Sequence, residues 1–198
     1  MLAIFKREFK SYFQNVIGWL FVAALLAVYG LYFYVYNLKN GYPYISYDLN
    51  GIGFIMMIAV PILTMRSLSD EKKTKTDQLM LTSPVSVGRI VAGKYFAMAA
   101  VYTIVIALFA LSPLVLSIYG KVALSEAYVA LFGYWLYGLS CIAVGLFISS
   151  ISESVIISAI LTFTALFLSY MMQSITGLIS SSGNLLTKVL NCFDLYTP

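Results

Sequence analysis

The sequence predicts an all-α fold, a polytopic membrane helical bundle with five spans and an amino-terminal interfacial helix. The chain of 198 residues is 61% hydrophobic and only 10% charged, whereas soluble domains are about a quarter charged and under half apolar. Its apolar residues form long uninterrupted runs, and a helix needs about 20 such residues to cross the hydrocarbon core. Sixteen Tyr and thirteen Phe suit the headgroup level, where aromatic side chains collect.

Five apolar runs are predicted to span the membrane within a single transmembrane domain, residues 1–198. They cover residues 16–36, 51–65, 95–119, 127–150 and 155–175. The second run is short, about 22 Å at 1.5 Å per residue, and is expected to borrow Ile45 and Tyr47 or to lie beside thinned lipid. The five runs contain no Asp, Glu, Lys or Arg. This argues against ion-coupled transport, which keeps ionisable groups inside the membrane.

An interfacial helix is predicted over residues 2–13, before the first span. Apolar residues recur there at three- and four-residue steps, with basic residues between them, as in a helix that lies in the headgroup layer. The apolar set is Leu2, Phe5, Phe9 and Tyr12, and the basic set is Lys6, Arg7 and Lys10. A simple basic tail is the alternative.

The distribution of basic residues predicts a cytoplasmic amino terminus and a cytoplasmic loop at residues 66–94. Basic residues accumulate on the cytoplasmic side of membrane proteins, and nine of the twelve Lys and Arg residues fall in these two segments. They are Lys6, Arg7, Lys10, Arg66, Lys72, Lys73, Lys75, Arg89 and Lys94. Arg89 and Lys94 are expected to lie near lipid phosphates at the mouth of the third span.

Chemistry within this chain is limited by its residue types. There is no His, and the two cysteines, Cys141 and Cys192, are far apart, which excludes histidine acid–base catalysis and a metal site of several cysteines. We therefore predict no catalytic residue and no metal site. The basic residues are not interleaved with a groove-sized aromatic platform, so we also predict no nucleic-acid partner.

Small residues recur every four positions on two of the predicted spans, a spacing that lets membrane helices approach closely. They are Cys141, Gly145 and Ser149 on the fourth span, and Ser154, Ser158 and Thr162 at the start of the fifth. Two interpretations remain open, packing within the chain and an interface with another subunit.

The segment that follows the second span resembles the permease subunits of type 2 ABC transporters, closest to the group that includes the gliding-motility permeases. The matching residues are Pro61, Thr64, Arg66, Glu71, Lys72, Lys73, Thr76, Leu79, Leu81, Thr82, Pro84, Ser86, Gly93 and Lys94. Lys75 and Gln78 depart from the usual Gly and Glu of that pattern. A second match ends at Glu153, in the predicted second cytoplasmic loop.

This resemblance implies an ATP-driven transporter, most often an exporter, of the bacterial cytoplasmic membrane. The chain would form half of the path beside a second permease subunit, as a homodimer or a heterodimer, with membrane lipid around it. It would hold no cofactor and would not be an enzyme, because ATP and Mg would bind a separate cytoplasmic ABC ATPase. An ion-coupled carrier and a passive scaffold are the alternatives. The family pattern has six spans, so a truncated product is also expected.

The resemblance also assigns residues to ATPase coupling. The predicted set is Arg66, Glu71, Lys72, Lys73, Thr76, Leu79, Leu81, Thr82 and Pro84. Leu79 and Leu81 would be apolar anchors in a groove of the ATPase, and Glu71, Lys72 and Lys73 would form a polar rim. Alternatively, the headgroup layer covers the two leucines.

Overall fold

The computed structural model describes residues 2–73, 86–119 and 123–179. All regular secondary structure in these three ranges is helical. In chain order, the elements are α1 (Leu2–Gln14), α2 (Val16–Phe33), a π-helix (Tyr34–Lys39) that continues α2, α3 (Ser46–Thr64), α4 (Ser69–Lys73), α5 (Val87–Phe109), α6 (Ser112–Tyr119), α7 (Leu124–Ile151) and α8 (Val155–Ile179).

Five stretches of these helices are long and apolar enough to cross a membrane, and they confirm the predicted fold class. They are Val16–Lys39, Ser46–Lys72, Val87–Ile118, Leu124–Ile151 and Val155–Met172. The segment predicted to lie in the interface is also a helix, α1.

Two helices begin five or more residues earlier than the apolar runs of the sequence. α3 starts at Ser46 rather than at residue 51, and α5 starts at Val87 rather than at residue 95. Each extension carries an ionisable residue into a helix, Asp48 in α3 and Lys94 in α5, and both side chains are buried. Buried ionisable groups need polar partners, and both residues have such partners elsewhere in the chain.

α3 is the central helix of the bundle. It packs against α2, α7 and α8, and side chains along its whole length are completely buried. Examples are Ile52, Met56, Met57, Val60 and Leu63, each at 0% exposure. α5 lies against α1, α2 and α7 on another side of the bundle.

A tight corner joins α1 to α2. Trp19 Nε1 donates a hydrogen bond to the Phe13 carbonyl oxygen at 2.8 Å, and the Phe13 and Trp19 rings meet edge to face. A Cβ atom on Gly18 would lie 2.3 Å from the Tyr12 carbonyl oxygen, so the corner requires glycine at this position. α1 is thereby fixed across one end of the bundle, where it packs against the start of α5.

Close packing between α5 and α7 depends on Gly138. The Tyr102 ring fills the space beside it, and a Cβ atom there would lie 2.2 Å from the ring. Tyr102 itself is fully buried, and its hydroxyl donates to the Tyr134 carbonyl oxygen at 2.8 Å. The Tyr102 ring therefore cannot move away from Gly138 without losing its buried packing and its hydrogen bond to Tyr134.

We expect Gly138→Ala to lower the free energy of unfolding by about 1 to 3 kcal/mol, the usual range for overpacking a well-filled core. Gly133→Ala is the matched control on α7, because nothing lies within 4 Å of a Cβ atom at that position. Its stability should be unchanged or slightly raised, since alanine favours helix over glycine. Thermal unfolding in mild detergent measures both variants, and equal stability for the two would contradict the packing described above.

Candidate functional site

The best-defined polar site lies at one end of the bundle. Four segments meet there: α1, the stretch from the end of α3 through α4, the first turns of α5 and the end of α7. We call its central group the Lys94 cluster, which consists of Glu8, Ser67, Glu71 and Lys94.

Lys94 holds this cluster together. Its Nζ atom donates to Glu71 Oε1 at 2.6 Å, to the Ser67 carbonyl oxygen at 2.8 Å and to Glu8 Oε1 at 3.5 Å. The Lys94 side chain is only 2% exposed, and those of Glu71 and Glu8 are 17% and 15% exposed. A buried ammonium group is tolerated when it is paired and hydrogen-bonded. One cation therefore ties α1, α4 and α5 together.

A polar cleft of about 350 Å³ opens beside the cluster. Its lining residues are Arg7, Glu8, Ser11, Tyr12, Asn15, Ile17, Arg66, Ser67, Asp70, Glu71 and Lys94. Burial raises the pKa of the Tyr12 phenol, and the nearby carboxylates of Glu8 and Glu71 raise it further. Tyr12 therefore remains a neutral hydroxyl group at physiological pH.

α7 holds α4 from the opposite side. Ser149 Oγ accepts hydrogen bonds from the backbone N–H groups of Leu68 at 3.2 Å and Ser69 at 3.3 Å, which caps the first turn of α4. One turn later, Lys72 Nζ donates to the Ser150 carbonyl oxygen. The short helix after α3 is thus anchored to both α5 and α7.

This arrangement ties α1, α4, α5 and α7 together at one end of the bundle. The ionic groups at its centre are engaged with one another, and across the three described ranges no group of three or more His, Cys, Asp or Glu side chains could hold a metal ion.

The sequence was compared with models of known protein families, and one family model matches it. The family model described as ABC-2 family transporter protein matches residues 31–198, which is most of the sequence. The chain belongs to this family. It is therefore a multi-pass membrane protein and a permease subunit of an ABC transporter. No curated protein and no solved structure gives a significant match.

Four of the predicted coupling residues of this ABC-2 permease lie in the described part of the chain, and five lie outside it. Arg66 is exposed, whereas Glu71 binds Lys94 and Lys72 binds Ser150. Both side chains are half-buried and bond to the chain's own helices, and their role in a polar rim stays a prediction. Lys73 is the last residue of α4. Thr76, Leu79, Leu81, Thr82 and Pro84 lie outside the described residues.

The small residues of α7 and α8 lie mostly in the interior of the permease. A Cβ atom on Gly145 would lie 2.5 Å from Thr64 Oγ1 on α3, and Ser149 caps α4 as described above. Cys141, Ser158 and Thr162 are also buried, and Ser154 is half-buried. These contacts correspond to packing within the chain, and the role in a subunit interface stays a prediction. Glu153, between α7 and α8, is exposed.

Sequence reasoning missed two participants, Glu8 and Ser67, and misplaced a third, Lys94. Glu8 is the single acidic residue of α1, and its partner Lys94 is 86 positions away. Lys94 was expected near lipid phosphates, but it is buried between two carboxylates. Ser67 contributes a backbone carbonyl oxygen, which carries no sequence signal.

Proposed function

We propose that this ABC-2 permease works with a separate cytoplasmic ABC ATPase and a second permease subunit to export a substrate from a bacterial cell. The ATPase would bind ATP and Mg, and this chain would need no cofactor. The gliding-motility permeases are the proposed subgroup, on the residues matched after the second span.

The observation that carries the proposal is the anchoring of α4. An ATPase that moves residues 74–86 would need a firm connection to the spans, and the bonds of Glu71, Lys72 and Ser149 supply one on each side of α4. Paired charges also suit this task, because the geometry of a buried ion pair is strongly specified when its hydrogen bonds are satisfied.

An ion-coupled carrier is the second candidate, because Asp48 is a buried carboxyl group within a span. Asp48 lies near the first turn of α3, rather than at mid-membrane depth, so the carrier is the weaker of the two candidate functions.

Purification in mild detergent and reconstitution into vesicles separate the ABC transporter from the ion-coupled carrier. Co-purification of an ATPase and transport that requires ATP support the ABC mechanism, whereas transport driven by an ion gradient without ATP supports the carrier.

We further propose that the end of the bundle with the Lys94 cluster faces the cytoplasm. In a background without Cys141 and Cys192, we expect Asn40→Cys to react with an impermeant maleimide in intact cells. Arg66→Cys should react only after permeabilisation, and Gln14→Cys should behave in the same way. All three positions are exposed, so accessibility within the chain does not bias the comparison. Equal labelling of positions 40 and 66 in intact cells would reverse the orientation or refute the topology.

A further inference from the structure

A second polar site lies at the opposite end of the bundle, where α2 and α3 are joined. Asn37 Nδ2 donates a hydrogen bond to Asp48 Oδ2. Asn37 is 5% exposed and Asp48 is 0% exposed, although both residues are close to the exposed connection at residues 40–44. A buried carboxyl group within a membrane span is costly and marks a functional site by default.

The backbone at this site is unusual. Asn37 lies in the π-helix Tyr34–Lys39, where the Asn40 N–H group donates to the Val35 carbonyl oxygen, five residues back. π-helical turns are rare and are frequent at functional sites. Here the π-helix carries the residue that meets Asp48.

Two oxygen atoms of the pair lack hydrogen-bond partners. They are Asn37 Oδ1 and Asp48 Oδ1, and neither finds a donor among the described residues. Leaving a buried acceptor without a donor is costly, because the acceptor has given up its hydrogen bonds to water. Two such acceptors in one side-chain pair indicate a missing donor.

Charged groups around the pair do not supply that donor. The titratable group facing Asp48 from α2 is the phenol of Tyr29, which is hydrogen-bonded to Ser112 of α6. No Lys or Arg side chain among the described residues forms an ion pair with Asp48. Within the described part of the chain, an ionised Asp48 is thus a buried charge without a counter-charge, and such groups take up a proton instead.

We propose that Asn37 and Asp48 form a proton-binding site that closes this end of the bundle. The proton resides on Asp48 Oδ1 and is donated to Asn37 Oδ1, while Asn37 Nδ2 donates to Asp48 Oδ2. This two-bond ring satisfies all four polar atoms. When α2 and α3 separate at this end, the carboxylic acid becomes a carboxylate and the proton passes to water, without any change of oxidation state. The site does not depend on the proposed ATPase coupling.

The test is infrared spectroscopy of the full chain in lipid nanodiscs, with ¹³C-labelled aspartate. At about pH 5.5, exposed aspartates are still ionised because their pKa is about 3.9, so we expect the carboxylic-acid C=O band of a single protonated aspartate. Asp48→Asn should abolish that band and keep the fold, because an amide reproduces the neutral partner. Glu126→Gln, which removes an exposed carboxylate at the same end, should leave the band unchanged.

A second variant keeps the test decisive if Asp48→Asn fails to fold. Replacing Asp70, Asp77 and Asp194 by asparagine leaves Asp48 as the single aspartate, and the band should persist at full intensity. Absence of a protonated aspartate from the wild type at about pH 5.5, or loss of the band in this triple variant, overturns the proposal. So does a band that survives Asp48→Asn.

Discussion

Replacing Lys94 by methionine is expected to lower the free energy of unfolding by about 3 to 5 kcal/mol, the usual cost of removing one partner from a buried ion pair. Methionine keeps much of the side-chain volume but leaves Glu8 and Glu71 close together without a cation. α4 then loses its bond to α5, so we also expect faster trypsin cleavage between Arg66 and Arg89. Thermal unfolding and limited proteolysis in mild detergent measure the two effects.

Arg89→Met is the matched control, because Arg89 lies on the same helix and is exposed. It should unfold as the wild type does. Adding Glu8→Gln and Glu71→Gln to Lys94→Met should restore much of the stability, since the unpaired carboxylates cause most of the loss. If Lys94→Met and Arg89→Met are equally stable, Lys94 does not hold this end of the bundle together.

Leu79→Asp is expected to weaken association with the ATPase by about tenfold to a hundredfold or more, because burying one Leu side chain contributes roughly 1.5 to 3 kcal/mol. Leu81→Asp should act similarly. Membrane insertion should survive, since neither residue lies in one of the five apolar runs of the sequence. Co-purification of the ATPase and ATP hydrolysis in reconstituted vesicles are the measurements.

Gln78→Glu provides the control for charge at the neighbouring position. It adds the same negative charge without removing an apolar side chain, so association should remain close to that of the wild type. If Leu79→Asp and Leu81→Asp bind the ATPase as well as Gln78→Glu does, the two leucines are covered by the headgroup layer instead.

Hydropathy predicted the number and order of the spans because the hydrocarbon core demands long apolar helices. It placed the start of α3 at residue 51, since Asp48 and Asn50 are typical of a surface turn. The structure admits Asp48 into the helix because Asn37 meets it from the preceding π-helix. The hydropathy of the residues around Asp48 does not reveal its hydrogen bond to Asn37, so it does not predict that α3 starts at Ser46.

The candidate site was only partly predictable for the same reason. The family pattern singled out Glu71, Lys72 and Lys94 as residues, but it did not pair them. Lys72 meets Ser150 across 78 positions of sequence, and Lys94 meets Glu8 across 86. Such contacts are fixed by the packing of α1, α5 and α7, not by the residues that flank each side chain.

The distance in sequence between Glu8 and Lys94 also affects how the chain matures during synthesis. α1 leaves the ribosome first, yet the helix that it packs against, α5, is made much later. At about 5 to 20 residues per second, the separation of 86 positions corresponds to about 4 to 17 seconds of translation. Throughout that interval, the buried face of α1 and its single carboxylate lack their partners. We therefore expect α1 to lie against lipid headgroups or the insertion machinery until α5, the third span, has been synthesised and inserted.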